Sequence, residues 1–343
     1  MEKQPFCLYY IDIVGTCNLR CPSCPVGNYQ ASDFISSQRP KGFMAFSLFE
    51  KILDKIELEN SHNCERIIIA LYNWGEPLLH PDFPKFIEAI RAKGFYSDVS
   101  SNLNVKDVKN VVVASPNKLI ISLSGYDSEV YSQTHKAGNP HLVLSNLFKL
   151  RYYMDKLKKN FSVEVSYHIY EHNVGKDMER IKMITEDLGF RFCSDLTLFM
   201  PLENNFKYFN GEELSEPDQK LISLMLVKPE ELVKLGQPYK QVDCPMRNWT
   251  VINFDGTTAL CCGVYDYQYN IADNFLNVSQ LELDARKQTH QLCVKCMDKG
   301  LHVMASYTAR KELDEIMETR LKMLKSQLLR DSTHLRSYNY LNE

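Results

Sequence analysis

The 343-residue chain is 44% apolar and carries a net charge of −3. That content can bury a core, in one large domain with an appendage or in two domains, and it excludes a globally disordered chain. No basic block points to nucleic acid, no stretch is long enough to span a bilayer, and the opening MEKQPFCLYYIDIV turns structured too soon for a signal peptide, so the cytoplasm is the expected compartment. Eleven cysteines there read as metal ligands or redox groups before disulfides.

In chain order, residues 7–14 (CLYYIDIV) are rich in β-formers and predict a strand running into a cysteine-rich loop. Ser47 with Glu50 predicts a capping box opening a helix. Residues 66–71 (RIIIAL) predict a strand, 82–93 a helix stopped at Gly94, and 96–101 and 118–123 further strands. Residues 141–157 have helical periodicity, 162–170 alternate as a strand, 176–188 form a helix closed by Gly189, and 190–199 follow as a strand. About six strand–helix alternations predict an α/β fold, a partial (β/α)6 TIM-like barrel. Four segments follow: the barrel over 1–200, a bridge over 201–240 with a helix near 216–235, a small cysteine-rich unit over 241–305, and an amphipathic helix and tail over 306–343 that packs on the barrel.

The polar clusters share one address. Cys17, Cys21 and Cys24 follow the first strand, and Trp74-Gly75-Glu76-Pro77 the second. Ser101-Asn102 follow the third, Ser122 and Ser124 the fourth, and His168, Tyr170 and Asn173 the fifth. Parallel barrels build active sites at the carboxyl ends of their strands. Three thiolates at i, i+4 and i+7 on one loop can converge on a soft metal centre. Four would saturate a 4Fe–4S cube, whereas three leave one iron open to substrate or cofactor. Zinc with a distant fourth ligand is the competing reading. Asn102 and Asn173 also suit caps, and Ser122 and Ser124 suit satisfied strand ends.

The Cys17-x3-Cys21-x2-Cys24 loop after a first strand resembles the radical S-adenosylmethionine (SAM) superfamily, over roughly residues 7–200. The resemblance implies a 4Fe–4S cluster whose open iron chelates SAM and cleaves it to a 5′-deoxyadenosyl radical that takes hydrogen from substrate. Gly75-Glu76-Pro77 resembles the family's Gly-Glu-Pro motif, where the SAM ammonium is held. Asn102, Ser122, Ser124 and Asn173 stand where further SAM contacts are made. Ser23 departs from the aromatic residue usual before the third cysteine, and Trp74 stands where many members have another glycine.

Cys244-x11-Gly256-x4-Cys261 followed by Cys293-x2-Cys296 brings four thiols from three places, with Phe254-Asp255-Gly256 as the turn of a hairpin. Alone, this set suits tetrahedral zinc. Behind such a barrel it resembles the SPASM/Twitch extension, the short form of which carries one auxiliary 4Fe–4S cluster; Cys262 could replace Cys261 as ligand. Cys7, Cys64 and Cys193 read as incidental or buried thiols, and His80 and His302 as structural.

The resemblance implies a radical oxidoreductase acting on a small polar substrate such as a sugar, aminocyclitol or nucleoside derivative, since the barrel starts by residue 7 and leaves no room for a peptide-recognition domain ahead of it. A peptide substrate and a redox-neutral epimerase or lyase, with Cys193 or Cys262 as hydrogen donor, are the alternatives, as is a non-catalytic zinc protein. Oxidation needs a base, for which Asp255, Tyr265, Asp266 and Glu203 are candidates. A reducing partner such as flavodoxin or ferredoxin is implied; nucleic acid and membrane are not.

Overall fold

The computed structural model describes residues 6–28, 40–60, 64–306 and 308–329; the end of the expected terminal segment lies outside them. Six strands, β1 (Cys7–Ile11), β2 (Ile67–Ala70), β3 (Tyr96–Ser101), β4 (Lys118–Ser122), β5 (Ser162–Ile169) and β6 (Arg191–Leu196), pair in parallel in sequence order. Helices cover the outer face, which makes the fold the expected α/β partial barrel. Along the helix Phe46–Asn60, buried Phe49, Ile52, Leu53 and Ile56 fall on one stripe against the sheet. Helix ends fall at Gly94 (φ +70°) and Gly189 (φ +67°), as their positions predict.

The sheet does not stop at β1. Strand β7 (Trp249–Ile252) pairs in parallel with the free edge of β1, Leu8 opposite Trp249 and Ile11 opposite Ile252. Antiparallel β8 (Thr258–Ala259) and β9 (Asn270–Ala272) continue it to nine strands. The hairpin predicted around Asp255-Gly256 is β7–β8, with Gly256 at φ +87°. At its tip Phe254 wedges against the start of the cysteine loop: a Cβ on Gly15 would stand 2.4 Å from its ring and one on Gly42 2.7 Å. At the other edge, Ser194 N donates to Leu329 O at 3.0 Å and Arg310 pairs with Asp195 at 2.9 Å, so the C-terminal helix Arg310–Met323 and its continuation cover β6.

Three local expectations are corrected. The helix predicted to be capped at Ser47 starts at Phe46, whose ring sits edge-on to Phe86 at 5.4 Å; Ser47 lies inside the helix and is not its cap. The single helix expected near 216–235 is two, Glu216–Leu224 and Pro229–Gly236, because Pro229 can open a helix but not continue one. Cys7 and Cys64, read as incidental thiols, form a disulfide across a Cα–Cα distance of 5.9 Å; the parallel pairing of β1 with β2 brings residues 57 apart in sequence together.

Because β7 covers the edge of β1, a chain ending at residue 240 should expose that edge together with apolar Leu8, Ile68 and Ala70. It is expected to aggregate, or to lose cooperative melting, in size-exclusion and thermal-unfolding measurements. A soluble monomer melting like the full chain would show that the C-terminal strands are dispensable to the barrel.

Candidate active site

The loops at the carboxyl ends of the strands enclose a cavity of about 400 Å³. Cys17, Cys21 and Cys24 form one wall, joined by Gly75, Glu76, Asn102 and Ser122. Aromatic rings line it as well: Tyr10 meets Tyr72 edge-on at 5.5 Å and Trp249 at 5.9 Å.

The wall is fixed by a residue the sequence reading passed over. Asp12, 1% exposed, accepts from the backbone N–H groups of Asn73 (2.8 Å), Trp74 (3.1 Å) and Gly75 (3.2 Å). Its charge within the apolar run CLYYIDIV was the signal. Glu76 N donates to Thr16 O at 2.9 Å, and a Cβ on Gly75 would stand 1.7 Å from Val14 O, so only glycine fits there. Trp74 uses its indole N–H on Val264 O at 3.0 Å and sets its ring edge-on to Tyr265 at 5.6 Å, joining the second-strand loop to the C-terminal region.

Glu76 is 3% exposed. Oε1 accepts from Ser101 Oγ (2.8 Å) and Leu78 N (3.1 Å), and Oε2 from Asn102 N (2.8 Å). Burial lifts its carboxyl from 4.5 to about 7 against those hydrogen bonds. Pro77 opens the short 3-10 turn Pro77–Leu79 behind it. Asn102 Nδ2 donates to Cys17 Sγ at 3.5 Å, and Leu19 N donates to the same sulfur at 3.4 Å. Burial pushes the Cys17 thiol up to about 12, and raises Cys21 further with help from the neighbouring Cys24 and Cys17. Thiols so placed hold thiolate form only when a cationic centre takes their charge.

Ser122 lines the cavity, but Ser124 and Asn173 do not. Ser124 Oγ accepts from His168 N (2.8 Å), while Asn173 Nδ2 donates to Ser124 O (3.2 Å) and His168 O (2.9 Å); both tie the ends of β4 and β5 together. Tyr170 reaches from β5 to Ser23 Oγ at 3.4 Å. His168 and His135 also line the cavity; sequence gave no signal for His135, which stacks on Tyr131 at 4.7 Å and is lowered to about 3, chiefly by burial and secondarily by nearby His168.

None of the four candidate bases lines this cavity. Asp255 is exposed in the hairpin turn and accepts from Thr257 N and Oγ1 (3.1 and 2.8 Å). Glu203 Oε1 accepts from the N–H groups of Tyr265 and Asp266, both at 2.8 Å, and burial raises its carboxyl. Asp266 accepts from Gln268 N at 3.0 Å. These side chains organise the segment after Cys261. Cys193 is buried on β6, with its thiol directed to Ser194 O.

A second, smaller and largely apolar cavity of about 70 Å³ is lined by Cys244, Cys261, Cys293 and Cys296. Cys293 and Cys296 share a face of the helix Gln291–Lys299. Burial raises Cys244 to about 11 and lifts Cys261 and Cys296 higher. Cys262 faces the first cavity instead, its sulfur 3.5 Å from Met246 Sδ. The thiols line their cavities rather than close on a point: among the described residues no group of three or more His, Cys, Asp or Glu is arranged to hold a single ion. His80 and His302 donate to or accept from nothing in the first cavity; they bond Met44 O (3.1 Å) and Val242 O (2.9 Å).

No family model matches the chain. It is 25% identical over 207 residues to a putative glycyl-radical enzyme activating enzyme of Methanocaldococcus jannaschii, covering 60% of this chain and 71% of that protein. It is 31% identical over 93 residues to the tungsten-containing aldehyde ferredoxin oxidoreductase cofactor-modifying protein of Pyrococcus furiosus, covering 27% of this chain and only 23% of that one. Among solved structures it resembles Streptococcus suis SuiB bound to S-adenosylmethionine (TM-score 0.52, 14% identity, 86% of this chain and 68% of that one). It also resembles anSMEcpe with bound AdoMet (TM-score 0.50, 14% identity, 94% of this chain and 100% of that one). The chain has the fold of the radical SAM superfamily. Among the described residues no helix is long and apolar enough to cross a membrane.

Glu76 gives a pH test on the metal-free protein. Its folded pKa is raised, so the native state binds the extra proton, and the stability it contributes is full below pH 4.5 and lost as pH rises through about 7. Unfolding free energy should fall across that window by about 3 kcal/mol, and Glu76→Gln should flatten the fall in denaturant titrations. An equal slope in the variant would assign the titration elsewhere.

Proposed function

We propose that the chain is a radical SAM oxidoreductase. Cys17, Cys21 and Cys24 hold a 4Fe–4S cluster with one open iron, and Gly75, Glu76, Asn102 and Ser122 form the bed for SAM, with Pro77 shaping the turn behind Glu76. The observation that carries this reading is the single cavity at the strand ends that collects the three thiols with Gly75, Glu76, Asn102 and Ser122. The donor set fits the group: three half-buried thiols lining one cavity, one of them receiving two N–H hydrogen bonds. When bound, cluster and SAM would supply a carbon radical able to take hydrogen from an unactivated C–H bond.

The remaining wall supports a small polar ring as substrate. Tyr10, Tyr72 and Trp249 offer aromatic faces to its C–H surface, and Ser100 and His168 offer hydrogen bonds to its hydroxyl or amino groups. His168 replaces the four candidate bases as the group positioned to accept the substrate proton. Tyr170, bonded to Ser23, supplies an aromatic surface beside the third cysteine. Cys244, Cys261, Cys293 and Cys296 hold a second 4Fe–4S cluster in a Twitch-like unit; four ligands leave it no open iron, which suits electron transfer. A flavodoxin- or ferredoxin-like donor supplies electrons from outside. Peptides remain the substrate class to test beside small molecules, since solved neighbours include SuiB bound to precursor peptide SuiA and anSMEcpe with a Cp18Cys peptide.

One observation favours a second outcome. Cys262, not Cys193, faces the first cavity, which suits a thiol that gives a hydrogen atom to a substrate radical in an epimerisation that leaves the substrate's oxidation level unchanged; the thiyl radical left on Cys262 would regain an electron from the external donor and a proton from solvent.

Anaerobic reconstitution should give about eight irons per chain and 5′-deoxyadenosine on adding dithionite and SAM. Replacing Cys17, Cys21 and Cys24 by alanine should leave about four irons and no nucleoside. Cys261→Ala should lose the second cluster, whereas Cys262→Ala should keep both. Zinc with intact SAM would overturn the enzyme reading. In deuterated solvent, oxidation leaves no solvent deuterium at the reacting carbon, while epimerisation through Cys262 places it there.

A further inference from the structure

Two cations line the four-cysteine cavity with the thiols. Arg247, on the turn Pro245–Asn248, donates Nε–H to Cys293 Sγ at 3.3 Å, and its N–H bonds Cys244 O at 3.0 Å. Its Nη1 pairs with Asp243 at 2.8 Å, an aspartate whose side chain is 72% exposed. Lys287 is 1% exposed, and its Nζ has Arg247 O (3.0 Å), Trp249 O (2.9 Å) and Asp284 Oδ1 (3.3 Å) within reach. Three acceptors match the three N–H bonds of an ammonium.

A buried ammonium is costly unless a comparably buried anion shares its surroundings. The acids here do not: Asp284 is 42% exposed at its side chain, and Asp243 more so. Four thiolates around an iron–sulfur cube would be that anion. Reduction adds one negative charge to such a centre, so a nearby cation and an N–H···S hydrogen bond favour its reduced form. Burial disfavours the charge on Lys287, and Asp284, Cys261 and Cys293 act against that.

We propose that Arg247 and Lys287 are positioning residues that raise the reduction potential of the centre held by Cys244, Cys261, Cys293 and Cys296. This rests on the reading of those cysteines as a cluster site. Arg247 acts through Cys293, and Lys287 acts through space while pinning the carbonyls of Arg247 and Trp249.

The test is a redox titration of the reconstituted full chain followed by electron paramagnetic resonance. Arg247→Gln removes one charge-assisted hydrogen bond. It should lower the reduced-to-oxidised ratio of the second cluster at a fixed potential on the order of tenfold, about 59 mV more negative. Arg247→Lys keeps the charge but not the fixed Nε geometry and should fall between. In wild-type protein carrying 15N-arginine, pulsed resonance should show weak 15N coupling to the second cluster, a readout that needs no variant to fold. An unchanged potential in both variants with the second cluster intact, or no 15N coupling in the wild type, overturns the proposal while leaving the cluster reading standing. Zinc, or the absence of a second cluster signal in the wild type, overturns the cluster reading and this proposal with it.

Discussion

Loops at the carboxyl rim of a barrel carry the chemistry but lack a ladder to satisfy their N–H groups, and here buried carboxylates do that work. Asp12 gathers three consecutive amides of the loop after β2, Glu76 joins that loop to the end of β3, and Asp177 takes the amides of Tyr126 and Asp127 at 2.7 and 3.0 Å with the Tyr167 hydroxyl at 2.9 Å. Each bond from an amide to an ionised acid is stronger than a neutral one, so a few acids can hold a rim of otherwise irregular backbone. The cysteine loop depends on the first of them. With Gly75 pressed on Val14 O and Glu76 N on Thr16 O, the loop after β2 is the bed on which residues 14–17 rest.

The C-terminal strands belong to the same construction. By pairing with β1, β7 places the segment from Cys244 to Cys262 beside the rim, and the two cavities come to share a wall. Met246, Leu198 and Ala305 line both, and the Cys261–Cys262 peptide separates them. Trp74 spans this junction through Val264 and Tyr265. A bulky residue is tolerated there because it reaches across to the added strands.

Much of this was legible in the sequence, because strand–helix alternation and residues at strand ends are local patterns. Strand β3 falls on residues 96–101 as its pattern predicts, and the three-cysteine loop meets Gly75, Glu76 and Asn102 as the shared rim implies. What did not show was long-range. Nothing in CLYYI says that its far edge pairs with WTVI more than two hundred residues later, nor that Cys7 meets Cys64. Register across parallel strands is set by packing of the whole layer, which no local period encodes. Ser124 and Asn173 stand at the strand ends, as the pattern predicts, but their side chains brace the ends of β4 and β5 instead of lining the cavity.

The adjacent pair Cys261-Cys262 and the misplaced base candidates have one explanation. The two neighbouring cysteines sit where the chain leaves β8 and enters a tight turn, Val264 N donating to Cys261 O at 3.2 Å, and this turn gives one thiol to each cavity. Beyond them the chain bends at Gly263, whose carbonyl takes Leu202 N at 2.8 Å, and leaves the rim. Glu203 Oε1 then accepts from the next two amides, those of Tyr265 and Asp266, which ties this acid to the segment beyond the turn and away from the first cavity. The buried acids of the rim are used in the same way on main-chain amides, Asp12 on those of Asn73, Trp74 and Gly75, Glu76 on that of Asn102 and Asp177 on those of Tyr126 and Asp127, so their first role is to hold irregular backbone in place.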